Sequence, residues 1–309
     1  MRIARALVSL ATVGLACALV ASWIPAFPFV LFEHFRVQYV VLGMLVVGAA
    51  AGLKLRGYFD AAAIALVLHA LPVLADLGRA PRLLPRNGVP VRVLSLNVLT
   101  ANTGTHAVRT LIETARPDVI GLVEVNQRWL DELAPSLAAY PGRLAYPAED
   151  NFGVALFARG PVTGTIEELG APLSTIVGEV SLEGVRLTAV VAHLVPPMTS
   201  RWADYQTTQR DGLASRVAEL AGPVIVMGDF NATPWSRTLR GLVARTGLCD
   251  TRAGFGVQAS WHAAIPFMRI PIDHVLASCS IGVRDRRIGP DVGSDHFPVI
   301  VDLVVPRAN

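Results

Sequence analysis

The sequence predicts a sheet-rich, layered α/β domain of about 220 residues, large enough to bury its own core, joined to a run of membrane helices. Three observations predict it. Three uncharged apolar stretches crowd into residues 1–77. From residue 91 onward, apolar strands alternate with helical stretches to the end of the 309-residue chain. Many of those strands end in an acid, an amide or an imidazole.

The first stretch, "ALVSLATVGLACALVASWI" at 6–24, runs for 19 residues without a charge, long enough for a spanning helix. The second, 37–53, is 17 residues long, and the third, 61–75, is 15 long and carries His69 and Pro72. They read as three short transmembrane helices. A basic start at Arg2 and Arg5 and "ACA" at 16–18 also give the first the look of a signal peptide, but the other two stay membrane-embedded either way. Cys17 reads as a buried small residue, because Gly14 stands where a lipoprotein signal has a larger aliphatic side chain. Arg2, Arg5, Lys54 and Arg56 flank one side of the spans and Arg36 alone lies in the 25–36 loop, so the amino terminus is expected inside. Three crossings then place everything after about residue 80 outside the membrane, although Arg79, Arg82 and Arg86 pull the other way.

The formal charge of +3 belongs to the membrane part. Residues 1–86 hold 8 basic and 3 acidic residues, whereas 87–309 hold 19 basic and 21 acidic, so no basic patch marks the soluble part for nucleic acid. Of the two cysteines outside the membrane, Cys249 and Cys279, an extracytoplasmic location permits a disulfide, and two buried free thiols satisfy the sequence equally.

Residues 78–90, with three prolines and two glycines, have no apolar period and read as a linker; the soluble domain is 91–309. "VRVLSLNV" and "DVIGLVEV" read as strands, each followed by a helix, near 105–115 and 127–138. "GVALFAR", "TIVGEVSL" and "VRLTAVVAHL" follow as strands. A long amphipathic helix near 201–221 carries Trp202, Tyr205, Gln209, Leu213, Val217 and Leu220 close to one stripe. After the strand "PVIVMGDFN", "SRTLRGLVARTG" reads as a short helix capped by Ser236 and closed by Gly247. "PIDHVLAS", "SIGVRD" and "FPVIVDLVV" complete the strands.

In "VMGDFNATP", strand alternation puts Asp229 and Asn231 on one face and Phe230 on the other, at the rim where ligands bind in open α/β sheets. An Asx turn satisfying nearby amides accounts for the pair equally well. The same kind of ending recurs at Asn97, Glu124, His193, Asp273 and Asp295-His296. Any one of these has an ordinary reading as a turn former, a surface charge or a core histidine. Six strand ends doing it together point to one site.

The ordered set Asn97, Glu124, His193, Asp229-x-Asn231, Asp273 and Asp295-His296 resembles the endonuclease/exonuclease/phosphatase superfamily over roughly residues 91–304. The resemblance implies a four-layer α/β sandwich of the DNase I-like kind and Mg²⁺-dependent hydrolysis of phosphate esters, with Mn²⁺ as a substitute. It implies Glu124 as principal metal ligand with Asn97 and Asp295 close by. Asp229 and Asn231 would position the attacking water and hold a phosphoryl oxygen. His296, oriented by Asp273, would be a base or a transition-state contact, and His193 would touch the phosphate or the leaving group. Water attacking an already anionic phosphorus does require a cation that neutralises charge, and Mg²⁺ suits a few oxygen ligands.

The membrane helices lie outside that match. Their arrangement resembles the membrane-bound bacterial branch that includes teicoplanin-resistance proteins, implying a lipid-linked phosphate such as polyprenyl pyrophosphate, with membrane lipids as surroundings and no stable nucleic-acid partner. The stretch "WHAAIPFMRIPIDHV", 261–275, places Trp261, Ile265, Pro266, Phe267 and Met268 just before Asp273, as an apolar contact for lipid chain, as an ordinary buried hairpin or, as the resemblance to nucleases implies, as a hold for a nucleotide. An extracytoplasmic nuclease is the alternative, and a non-catalytic membrane binding protein a distant one.

Overall fold

A computed structural model describes residues 1–307. Three helices come first: α1 (Arg2–Ala21), α2 (Arg36–Gly52) and α3 (Arg56–Leu77). The 20 residues of α1 and the 22 of α3 make them long and apolar enough to cross a bilayer, whereas α2 has 17. The third apolar stretch thus forms the longest of the three helices, with Pro72 inside it. A thin seam of Val8, Leu15, Val46, Ala50, Ala62 and Ala65 holds the helices together. At Gly43 a Cβ would stand 3.1 Å from that of Leu66, so glycine sets how closely α2 and α3 approach. Leu7, Leu10, Met44, Leu45, Leu71 and Leu74 face outward.

The remaining elements are β1 (Gly88–Asn97), α4 (Thr105–Ala115), β2 (Val119–Val123), α5 (Gln127–Leu133), β3 (Gly142–Tyr146), β4 (Val154–Ala158), β5 (Val162–Glu168), β6 (Ser174–Leu182) and β7 (Val185–Val191). They continue with α6 (Ser200–Ala218), β8 (Val224–Asp229), α7 (Arg237–Thr246), β9 (Cys249–Asp250), β10 (Asp273–Ala277), β11 (Gly282–Ile288) and β12 (Val299–Pro306). One sheet has the order β11-β12-β1-β2-β4-β3 and the other β5-β6-β7-β8-β10-β9.

Strand faces decide the layers. Val91, Val93, Val119, Met227 and Val275 point between the sheets and form the central core. Alternate residues point outward: Leu94, Leu96, Ile120 and Leu122 meet α4 and α5, whereas Val190, Val226 and Leu276 meet α6 and α7. The result is helices, sheet, sheet, helices, the expected four-layer sandwich. Helix α7 has both expected caps, Ser236 Oγ accepting from Leu239 N and Gly247 left-handed at its end. Strands β3 and β5 escape the sequence reading because they carry few buried side chains. On α6 the buried stripe passes through Gln206, Gln209, Leu213 and Val217, while Trp202 lies partly exposed.

In each sheet one pair is parallel, β1 with β2 and β7 with β8, and the neighbours β12 and β10 run antiparallel. The carboxyl ends of the parallel strands therefore coincide with the starts of β12 and β10. All six strand ends singled out in the sequence meet at that one edge.

The helix bundle is clamped to the same edge. Arg237 donates to Ser22 O at 3.0 and 2.9 Å and pairs with Glu33, whose carboxylate also accepts from Arg237 N at 2.7 Å. Trp235 Nε1 donates to His34 O at 3.3 Å, and Gln38 Nε2 to Arg269 O at 2.9 Å. At the end of α3, Asp76 pairs with the buried Arg252, which also faces Asp250 Oδ2 at 3.3 Å. Residues 78–90 do not swing free: Val283 N bonds Arg82 O, and Arg307 N bonds Asn87 O. Cys249 and Cys279 form a disulfide, resolving the two readings of that pair.

Removing one partner of a buried ion cluster strands the others without compensation. Arg252→Met is accordingly expected to cost about 3–5 kcal/mol, seen as a large fall in the thermal midpoint of the detergent-solubilised protein. An unchanged midpoint would show that the clamp contributes nothing to stability.

Candidate active site

The site is built where both sheets end. Asn97 closes β1, Glu124 follows β2, His193 follows β7, Asp229 closes β8, Asp273 opens β10, and Asp295 and His296 precede β12. Glu124 and Asn231 have left-handed backbones, with φ of 60° and 47°. Both conformations are costly for residues other than glycine, and such strain clusters at functional sites.

Asp229 and Asn231 converge by a route different from strand alternation. The strand ends at Asp229, and the left-handed backbone at Asn231 turns its side chain back, with Nδ2 on Leu194 O at 2.9 Å. Asp229 Oδ1 accepts from Asn231 N at 2.8 Å, which is the Asx turn, while Oδ2 faces the site. The two readings of this stretch are both realised, one on each carboxylate oxygen.

Around Asp229 Oδ2 stand Asn97 Nδ2 at 3.2 Å, His296 Nε2 at 3.5 Å and His193 Nε2 at 3.6 Å. Asn97 Nδ2 also lies 2.8 Å from Glu124 Oε1, and the Asn97 amide oxygen accepts from Leu99 N at 3.0 Å. His296 Nδ1 meets Asp273 Oδ2 at 2.8 Å, so that contact fixes the ring and turns Nε2 toward the rim. Asp295 accepts from Trp261 Nε1 at 3.0 Å on one oxygen, and its other oxygen is buried without a hydrogen-bond partner among the described residues. All eight expected site residues are thus brought together.

Asp229, Asp273 and His296 place donor atoms within 4.8 Å of one another. Asp273 and His296 are already engaged with each other, so this trio is a buried ion cluster before it is a ligand set. The set Glu124, Asp295 and Asn97 fits a hard divalent cation better. It is all oxygen, it includes the Asp295 oxygen that makes no hydrogen bond and lies 3.9 Å from His296 Nε2, and it leaves one lone pair on the Asn97 amide. Burial raises the Glu124 carboxyl above its ordinary range against the pull of Asn97 and His296, a cost that a bound cation would relieve.

Several supporting residues have no sequence signature. Ser260 Oγ accepts from Asp273 N at 3.2 Å, and buried Arg286 donates to Asp273 O. Gln209 accepts from Val195 N at 2.9 Å and donates to His193 O, while Gln206 donates to Val195 O and Asn231 O. On α6 these two glutamines look like breaks in an apolar stripe, and only the fold reveals that they hold the loop carrying His193.

The ionisable groups divide sharply. Burial opposes the charge on His296, but Asp273 and Asp229 outweigh it and hold the imidazole protonated, its pKa raised to about 10. Burial also pushes Asp229 up, whereas in Asp273 the neighbouring imidazolium overcomes burial and holds the carboxyl down. His193 is pushed down to about 4, by burial and then by the charge on His296. Burial pushes His34 and His274 down to about 4 as well.

A cavity of about 500 Å³ opens over the cluster. Glu124, Asp229, Asn231, Asp295 and the two imidazoles form its polar end, and the remaining wall is mostly apolar, with Phe152, Met198, Trp202, Met268 and Ile272 in it beside Asp150 and Asn151. Leu31, His34 and Phe35, from the segment between α1 and α2, complete it.

The model of the Endonuclease/Exonuclease/phosphatase family matches residues 94–296. Among solved structures, D. rerio TDP2 complexed with single-strand DNA product is similar, with 16% identity, a TM-score of 0.58, and coverage of 69% of this chain and 98% of that one. The endonuclease/exonuclease/phosphatase from Beutenbergia cavernae has 20% identity and a TM-score of 0.57, covering 70% and 72%. The human Nocturnin catalytic domain with bound sulfate has 20% identity and a TM-score of 0.56, covering 73% and 99%. No curated protein matches the chain at a significant level.

The histidines give the site a pH signature. In the chelated protein at pH 7, His296 should be cationic and His34, His193 and His274 neutral by ¹⁵N histidine NMR. Those three sit below their unfolded value of 6.5, so their share of stability is lost as pH falls from 6.5 toward 4. The share from His296 is full below 6.5 and is lost as pH rises through 10. Four rings titrating together near 6.5 would contradict this division.

Proposed function

Because the chain belongs to the endonuclease/exonuclease/phosphatase family, whose members are metal-dependent phosphoester hydrolases, we propose that it hydrolyses a phosphate ester or pyrophosphate borne by a membrane lipid, such as polyprenyl pyrophosphate. One observation carries this reading: the cavity over the acid and imidazole cluster is walled by apolar side chains and is completed by the segment that joins two apolar helices. A phosphate head would reach the polar end while its chain lies along the apolar walls.

Glu124, Asp295 and the free lone pair of Asn97 would hold Mg²⁺, or Mn²⁺ in its place, and the bound cation would neutralise phosphoryl charge. Asp229 Oδ2, facing the polar end, is placed to orient water and take its proton. Protonated His296, locked by Asp273, would stabilise charge developing on the phosphoryl oxygens. Asn231 would donate to a phosphoryl oxygen through Nδ2, and neutral His193 would stand beside the leaving group.

The arrangement of the helices supports a multi-pass protein of the cell membrane. The end of α1, the start of α2 and the end of α3 all touch the catalytic domain, so in three crossings they share one side of the bilayer with it. Arg2, Arg5, Lys54 and Arg56 then lie at the other end, which the excess of basic residues marks as cytoplasmic. The disulfide suits an extracytoplasmic domain. Such an architecture would resemble that of the membrane-bound bacterial branch that includes teicoplanin-resistance proteins.

Two outcomes follow for the chemistry. EDTA should abolish hydrolysis and Mg²⁺ or Mn²⁺ restore it, and His296→Ala should lower kcat by about 10² to 10⁴. Full turnover in EDTA, or normal turnover of the variant, would remove the assigned roles.

For the substrate, polyprenyl pyrophosphate in mixed micelles should be hydrolysed faster than plasmid DNA under the same metal conditions. Phe267, 76% exposed beside Met268, offers an outer apolar contact, so Phe267→Asp should slow the lipid reaction most. Ready cleavage of DNA with the lipid untouched would instead make the protein a nuclease.

A further inference from the structure

The segment between α1 and α2 belongs to the membrane part of the chain, yet it lies against the catalytic edge. Leu31, His34 and Phe35 line the same cavity as Glu124, Asp229 and His296. The catalytic domain contributes Met198, Trp202 and Met268 to the same cavity. The segment is not a loose strap. Glu33 accepts from Arg237 N at 2.7 Å, Trp235 Nε1 holds His34 O at 3.3 Å, and His34 Nδ1 meets Thr233 Oγ1 at 3.3 Å. Glu33 and His34 are both buried in making these contacts, and none of their partners belongs to the acid and imidazole cluster.

We propose that Leu31 and Phe35 are specificity-determining residues, forming a fixed wall that grips the first part of an apolar chain attached to the scissile phosphate. This deepens the lipid reading and rests on it. The occupant is an acyl or prenyl chain for two reasons. The wall is continuous with the end of α1 and the start of α2, where Val20, Val41 and Leu42 face outward, so a chain running along it passes into apolar surroundings. Leu31 and Phe35 also offer no side-chain hydrogen bond, so the hydroxyls of a sugar pressed against them would lose water without compensation. The membrane helices thereby supply part of the substrate site as well as an anchor.

The test uses the full chain in detergent and a series of n-alkyl phosphates of increasing length, with methyl phosphate as the chainless reference. In the wild type, KM should fall steadily with chain length, because each added methylene buries more apolar surface. In Leu31→Ala/Phe35→Ala the dependence should flatten, the ratio of kcat/KM for the longest to the shortest ester dropping by about tenfold or more. Leu31→Met, which keeps an apolar wall of similar volume, should retain the dependence. A double variant that keeps the chain-length dependence overturns the wall, and so does one that loses activity equally on every ester. A wild type with no chain-length dependence and no action on polyprenyl pyrophosphate overturns the lipid reading itself.

Discussion

One imidazole ties the two halves of the catalytic domain together. His296 leads into β12 of the first sheet, Asp273 opens β10 of the second, and their contact at 2.8 Å crosses from one sheet to the other. Asp229 lies beside Asp273 in the register of β8 with β10, so two buried carboxylates share one proton-bearing ring. Carboxylates so far from water are costly without a cation. That demand explains the donors on Asp229, Asn97 from β1 and the backbone of Asn231. It also explains Gly228, whose positive φ of 138° and close approach to the carbonyl of Ala192 leave no room for a Cβ where the chain turns Asp229 inward.

The same edge is where the helix bundle docks. Short linkers generally let a domain range over a distance set by their length. Here the clamps at Glu33, Gln38 and Asp76 set the geometry, and residues 78–90 lie along the domain. A polar cluster that needs a cation and an apolar cavity that runs toward the helices become parts of one structure. Trp23, Phe27, Phe29 and Phe32, exposed around the bundle end, give this region the aromatic content of a membrane interface.

Much of this was legible in the sequence because its signals were local. The Ser236 and Gly247 caps, the helix at 105–115 and the apolar strands follow from residue types at fixed spacings. The site residues were legible as strand endings because a sandwich with parallel central pairs gathers those endings at one edge. What escaped depends on distant partners. Gln206 and Gln209 are polar residues on a buried face, and only the loop beneath them explains why. Arg252 looked like one arginine among many until Asp76, 176 residues away, met it. Leu31 and Phe35 looked like membrane-loop residues, and nothing in their spacing announces the cavity they line.

The proposed function requires a catalytic mouth that opens at the lipid surface. The most direct measurement places a polarity-sensitive fluorophore on Phe267→Cys in a Cys17→Ala background, with the protein in nanodiscs. Cys17 is the only free thiol among the described residues, so its removal leaves the label at one position. A mouth at the lipid surface predicts strong quenching by lipids brominated near the headgroup and little by aqueous iodide. Strong quenching by iodide, with brominated lipid having no effect, would put the mouth in open water and contradict it.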